Sequence, residues 1–249
     1  MKPLDTYLNL CTEVYELSKP TPPADAFAFY LEYVKQAQGL ALEPMCGTRR
    51  FLVPMLDMGL DIEGFDASNS MLAKLKEKSP KASIWQGFVQ DLDRPKKYNL
   101  VFIPAGSFCL ITELDQVKLS LKKIYEHLNS GGMFVFEIEG PGSVMPPAQL
   151  GIWRGSSWFY PDGRFIILST FDLPLKNNIG TTICKYELVE NNQIIQTEIE
   201  PFYLRFWDND ELIALLKSTG FSVRMIKAYD TNKQPGVSDE SIVFECRKR

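Results

Sequence analysis

Apolar positions along the first half of the chain alternate between a strand-like and a helix-like period. Leu40-Ala41-Leu42 is a short apolar run that ends in Glu43 and breaks at Pro44 to Gly47. Phe51, Leu52, Met55 and Leu56 then fall at helical spacing, which predicts a helix over 48–58 that stops near Gly59. The alternation repeats as a strand over 61–66 ending in Asp66, and a helix over 69–78 with Ser68 as its N-cap. A strand over 82–86 comes next, then one over 98–103 that is apolar enough to be buried on both faces. A helix over 113–128 is expected to end at Asn129-Ser130-Gly131-Gly132, before a strand over 133–139. Two helices, over 4–18 and 24–37, precede all of this and are separated by Lys19-Pro20-Thr21-Pro22-Pro23. Strand and helix in alternation predict an α/β fold with a mostly parallel, doubly wound sheet.

After Gly140 the pattern changes. Residues 151–206 read as several antiparallel strands, with hairpin turns at Pro161-Asp162-Gly163 and Glu190-Asn191-Asn192. Asp208 or Asn209 caps a further helix whose first turn carries Asp210 and Glu211 and which ends at Gly220. Strands over 221–228 and 240–247 finish the chain. The expected organisation is one domain in four parts: a helical cap over 1–38, a core over 39–140, an antiparallel insertion over 141–207, and a last helix with a hairpin over 208–249.

Composition narrows the partners. The chain has 249 residues, a formal net charge of -4 and 45% hydrophobic residues. No basic excess suits a nucleic-acid backbone, so a small-molecule or protein partner is expected instead. Cys11, Cys46, Cys109, Cys184 and Cys246 lie far apart in sequence, without zinc-ligand or redox spacing. No metal site is expected. No apolar run is long enough for a membrane span, and the N-terminus does not read as a secretory signal, so a cytoplasmic protein is expected.

The chemistry points to the strand tips. Glu43 and Asp66 end two successive strands of one sheet, and open α/β sheets bind ligands at the carboxyl ends of their strands. Two carboxylates on one rim suit a nucleoside cofactor.

Four segments carry a resemblance to the class I S-adenosyl-L-methionine-dependent methyltransferases. They are Leu42-Glu43-Pro44-Met45-Cys46-Gly47-Thr48, Gly64-Phe65-Asp66-Ala67-Ser68-Asn69-Ser70-Met71-Leu72, Tyr98-Asn99-Leu100-Val101-Phe102 and Leu128-Asn129-Ser130-Gly131-Gly132-Met133-Phe134-Val135-Phe136. The resemblance implies a Rossmann-like seven-stranded sheet with an antiparallel terminal strand, S-adenosyl-L-methionine as cofactor, and an antiparallel insertion after strand five. The chain looks most like bacterial enzymes that methylate small molecules.

Cofactor positions implied by the resemblance are Glu43, Met45, Cys46, Gly47 and Arg49 around the methionine end, with Pro104 beside it. Asp66 would accept the ribose hydroxyls, Ala67 and Met71 would pack on adenine, and Phe88 and Val89 would meet its edge. A helix starting near Thr48 would aim its N–H groups at the methionine carboxylate. Three residues depart from the family pattern: Met45 and Arg49 stand where it has glycine, and Phe88 where it commonly has an acid.

Tyr15 resembles a cap tyrosine of small-molecule N-methyltransferases, and Glu139 is the better active-site acid of the pair Glu137 and Glu139. The one histidine, His127, is expected at a helix end rather than as a base, which favours N-methylation. Trp153, Arg154, Trp158, Tyr160, Tyr203, Arg205 and Trp207 enrich the insertion in aromatics and arginine. They read either as an aromatic wall for the acceptor or as ordinary packing on one face of a sheet. The insertion is also a candidate surface for a homodimer. Two other readings share the same strand-tip pattern: a nicotinamide-dependent oxidoreductase, and a non-enzymatic binding protein on a degenerate methyltransferase fold.

Overall fold

The computed structural model describes residues 4–249. Its first elements are α1 (Asn9–Ser18), α2 (Ala24–Gln36), β1 (Ala41–Pro44), α3 (Leu52–Asp57), β2 (Ile62–Asp66), α4 (Asn69–Lys78) and β3 (Ile84–Gln86). Then come β4 (Tyr98–Ile103), α5 (Leu114–His127) and β5 (Leu128–Glu139). The insertion supplies β6 (Trp153–Phe159), β7 (Phe165–Lys176), β8 (Ile179–Glu190) and β9 (Gln193–Arg205). The chain ends with α6 (Asn209–Thr219), β10 (Phe221–Lys227) and β11 (Ser241–Lys248).

Seven strands form one sheet in the order β10-β11-β5-β4-β1-β2-β3. β1 to β5 pair in parallel, and β11 inserts antiparallel between β5 and β10. The chain reverses direction across the sheet at β1 and β4, the place where such sheets bind ligands. Alternate side chains of the central strands feed opposite layers. Leu42, Val101, Ile103 and Phe134 pack with Val117, Leu121, Leu212 and Leu216 from α5 and α6. Ala41, Leu100, Phe102 and Val135 pack with Tyr30, Val34, Leu52, Met55 and Leu75 from α2, α3 and α4. Burial on both faces explains why these strands read as continuous apolar runs.

β6 to β9 form a separate four-stranded antiparallel sheet. Both expected turns join its strands. A third hairpin turns at Asn177-Asn178, with φ 53° and 61°, values that asparagine tolerates better than most residues. The aromatics of this sheet are split between two faces. Trp153 and Phe159 point outward at 55% and 68% exposure, while Trp158 and Tyr160 pack towards α1. Trp207 is buried against Phe108 and Arg205.

α1 lies between this sheet and the core. Leu10 and Val14 pack on Ile166, Cys184 and Tyr186, while Glu13 pairs with Lys74 at 2.8 Å and Glu16 pairs with Lys78.

The starts of the first helix and of β5 differ from the sequence reading. The first helix begins at Asn9, because residues before it are drawn onto β9. Leu8 N–H donates to Glu200 at 3.0 Å and Leu10 N–H to Glu198 at 2.7 Å. These distant carboxylates satisfy donors that a local cap would otherwise take. At the other end of the core, α5 passes into β5 at Leu128 without an intervening loop. Leu128 already pairs with Tyr98, and Lys248 Nζ donates to the carbonyls of Tyr125 and Leu128 at 2.6 and 2.8 Å. Among the described residues, no helix is long and apolar enough to cross a membrane.

Candidate functional site

The chain turns sharply after β1. Met45 and Gly47 are both left-handed, with φ 59° and 58°. Cys46 N–H donates to the Phe65 carbonyl at 3.1 Å, and Gly47 N–H donates to Asp66 Oδ2 at 2.9 Å. Residues 45–51 are thus committed to a turn stitched to the tip of β2. The next helix starts at Leu52 rather than near Thr48, which corrects the expected helix start. A left-handed non-glycine residue costs about 1–2 kcal/mol, a strain that Met45 bears.

Asp66 is the hub of this rim. Its Oδ1 accepts from Ser68 N–H at 2.8 Å while Oδ2 takes Gly47 N–H. Burial raises its pKa, and the N–H groups of Ser68, Gly47 and Ala67 oppose that rise. Each carboxylate oxygen keeps a second lone pair for a hydroxyl donor. Ser68 caps α4 by accepting from Met71 N–H at 3.2 Å, and its hydroxyl donates to the Tyr7 carbonyl at 2.8 Å.

A cavity of about 490 Å³ opens above these residues. Met45, Gly47, Asp66, Ala67 and Met71 form one side, Phe88, Val89 and Asp91 another. Tyr15, Ser107, Gln116, Tyr203 and a strap over residues 4–7 complete its lining, with the Tyr15 hydroxyl 4.0 Å from where a Cβ on Gly47 would stand. The cavity brings together eight of the residues singled out from sequence: Tyr15, Met45, Gly47, Asp66, Ala67, Met71, Phe88 and Val89.

The other five stand outside its wall. Glu43 is buried at the end of β1 with Oε2 lacking a partner among the described residues. Burial raises its pKa well above the usual carboxylate range, Asp66 adds to this, and Arg50 opposes it. Cys46 turns its side chain into the core against Gly64. Arg49 is half-buried with an unpartnered Nε among the described residues. Pro104 is buried just beyond β4. Glu139 is half-buried, and its Oε1 lies 2.6 Å from where a Cβ on Gly106 would stand; the left-handed φ of 69° at Gly106 favours glycine there. Burial raises the Glu139 pKa, and the neighbouring Ser143 hydroxyl opposes the rise.

Sequence reasoning passed over Arg50. Its Nη1 donates to the Tyr15 hydroxyl at 3.3 Å, and its guanidinium lies 5.7 Å from the Tyr15 ring centroid. Its Nε has no partner among the described residues. The doubled arginine directly after the glycine turn was the available signal. The strap over residues 4–7 was missed as well. It is held by Glu200, which accepts from Thr6 Oγ1 at 3.2 Å and from Leu8 N–H, and no local pattern announces it. His127 stands away from the cavity. Its Nδ1 meets the Lys123 carbonyl at 2.7 Å and its Nε2 accepts from Arg94 N–H at 3.1 Å, so both ring nitrogens are engaged.

A nucleoside cofactor with an amino-acid tail fits this arrangement. Asp66 offers two acceptors at the rim, an apolar wall lies beside it, and unpartnered polar atoms of Glu43, Thr48 and Arg50 flank the turn. Among the described residues, no group of three or more His, Cys, Asp or Glu residues is arranged to hold a metal.

The fold has relatives among known proteins. Residues 41–132 match the methyltransferase domain family. A protein of Geobacillus sp. (strain WCH70), provisionally named a methyltransferase, is 22% identical over 91% of this chain and 93% of its own. The sugar N-methyltransferase KedS8 from Streptoalloteichus sp. ATCC 53650 superposes with a TM-score of 0.79 at 15% identity, covering 100% of this chain and 97% of its own. CalS10, an amino pentose methyltransferase from Micromonospora echinaspora solved with S-adenosylmethionine bound, gives 0.70 at 14% identity, covering 99% of this chain and 100% of its own. At such identities the structural likeness speaks for the fold.

Proposed function

We propose that this chain, whose core belongs to the class I S-adenosyl-L-methionine-dependent methyltransferases, transfers the cofactor's methyl group to the nitrogen of a small-molecule amine. The observation that carries this reading is the rim cavity, with Asp66 facing it across from Gly47. S-adenosyl-L-methionine, when bound, supplies an electrophilic methyl group on a sulfonium.

Asp66 would accept from the ribose hydroxyls through its two free lone pairs. Ala67, Met71 and Val89 would pack on adenine, and Phe88 would stack rather than accept a hydrogen bond. Gly47 admits the ligand close to the backbone. Glu43, Arg49 and Arg50 would meet the ammonium and carboxylate of the methionine tail, with Cys46 and Pro104 shaping the turn around it. Tyr15, oriented by Arg50, would border the methyl, and Glu139 would take up the proton that the amine sheds. The strap over residues 4–7 would exclude water. Most of the acceleration would come from holding donor and acceptor in line.

We read residues 1–38 as a cap, 39–140 as the cofactor core, 141–207 as the acceptor-side insertion and 208–249 as the closing unit of one domain. Exposed Trp153, Phe159 and Ile199 on the insertion support a homodimer formed through that sheet, which sedimentation analysis would test.

A thermal-shift titration tests the function. S-adenosylhomocysteine should raise Tm by mass action and NADH should not. Transfer of labelled methyl to amines should follow. Stabilisation by NADH alone would return the oxidoreductase reading, and silence from both ligands would return the non-enzymatic one.

A further inference from the structure

A second cavity, of about 420 Å³, lies between the loop over 143–150 and the insertion sheet. Its volume is in the range of about 300–1,000 Å³ that small-molecule sites occupy. Met145, Leu150, Leu173, Phe202, Leu204 and Phe206 make its walls largely apolar. Its one charged lining residue among the described residues, Asp172, is already engaged by Arg154 and by the Thr182 hydroxyl. The chamber therefore offers apolar surface and no free charge.

Two contacts set it beside the cofactor cavity. Phe202 lines the second chamber and meets Tyr7 edge to face, with ring centroids 6.0 Å apart, and Tyr7 lines the first. Ser143 lines the second chamber and neighbours the Glu139 carboxylate. That carboxylate packs on Gly106, next to Ser107 in the wall of the first chamber. Glu139 lines neither chamber itself but adjoins residues beside both.

We propose that the second chamber receives the apolar portion of the methyl acceptor, an amine whose nitrogen is held at Glu139 between this chamber and the cofactor's. The proposal rests on the methyltransferase reading and adds the acceptor's chemical class. In the transfer the nitrogen lone pair forms the new N–C bond as the S–C bond breaks. The sulfur keeps that electron pair, and the proton leaves the nitrogen for Glu139. Most of the wall is apolar, and an alkyl or aryl amine gains with every carbon it buries there.

Calorimetric titration of n-butylamine, n-hexylamine and n-octylamine into protein saturated with S-adenosylhomocysteine tests this. Affinity should rise about fourfold per added methylene. Val144→Trp and Leu173→Trp, which fill the chamber, should each flatten the series while leaving S-adenosylhomocysteine affinity unchanged. The preference for n-octylamine over n-octanol should fall in Glu139→Gln. Equal affinities along the series would overturn the proposal, as would a chain-length response that survives both tryptophan variants. If S-adenosylhomocysteine itself does not bind, the methyltransferase reading falls. The same amine series on the protein alone then still reports whether the chamber takes apolar chains.

Discussion

Gly47 and Asp66 clasp the tips of adjacent parallel strands: the Gly47 N–H donates to Asp66 Oδ2 at 2.9 Å, across 19 positions of sequence. The left-handed φ of 58° at Gly47 aims that N–H at the carboxylate. One bond thereby shapes the turn after β1 and orients the carboxylate that faces the cavity.

Asp66→Asn tests the clasp. An amide presents only one oxygen, so one of the two N–H donors from Gly47 and Ser68 would face an NH₂ group. The loss should cost about 1–3 kcal/mol in unfolding free energy. The Tm rise caused by S-adenosylhomocysteine should largely disappear, and an undiminished rise would contradict the role given to Asp66.

Glu43 makes stability depend on pH. Burial raises its pKa well above the usual carboxylate value, with Asp66 adding and Arg50 opposing. The folded chain therefore holds a proton that the unfolded chain has already lost. Stability without ligand falls as pH rises from the ordinary carboxylate pKa through the raised one. Glu43→Gln should increase Tm at neutral pH and flatten its dependence on pH, as denaturation scans across that window would read. The same variant should weaken S-adenosylhomocysteine binding.

Arg50 and Tyr15 should act as a pair. Single variants Arg50→Met and Tyr15→Phe remove the same 3.3 Å hydrogen bond, so their effects on S-adenosylhomocysteine affinity should be less than additive. A coupling of about 0.5–1.5 kcal/mol is expected from a double-mutant cycle. Strict additivity would separate the two residues.

Glu200 is the anchor of the N-terminal strap. Glu200→Ala removes the acceptor for Thr6 Oγ1 and Leu8 N–H. Amide exchange over residues 4–12 should speed up, and ligand affinity should fall because residues 4–7 line the cavity. Protection unchanged from that of the parent would show that other contacts hold the strap.

His127→Phe should separate stability from chemistry. Arg94 N–H would lose its acceptor, at a cost of about 1–3 kcal/mol. Methyl transfer measured well below the lowered Tm should be unchanged, since the ring is engaged far from the cavity.

Much of this protein was determined by local pattern. Apolar periodicity set the order of strands and helices from Ala41 to Glu139, and Ser68, Asp208 and Gly220 marked helix ends that the structure retains. Each of these signals acts within a few residues, through backbone hydrogen bonds and the faces that side chains present. The strand-tip acids were legible for the same reason, because an acid ending an apolar strand must stand at the sheet's rim.

Tertiary structure decided what depends on distant partners. Glu200 reaches Leu8 across 192 positions, and Glu198 reaches Leu10 across 188. Such bonds delay the first helix and lay the strap over the cavity without leaving a local trace. Thr48 looked like a helix start until the clasp between Gly47 and Asp66 claimed the turn, and Arg50 gained its place only when α1 brought Tyr15 to it. Strand alternation could say that Trp153 and Trp158 face opposite ways. Only the packing of α1 against one face of the insertion decided which of them is exposed.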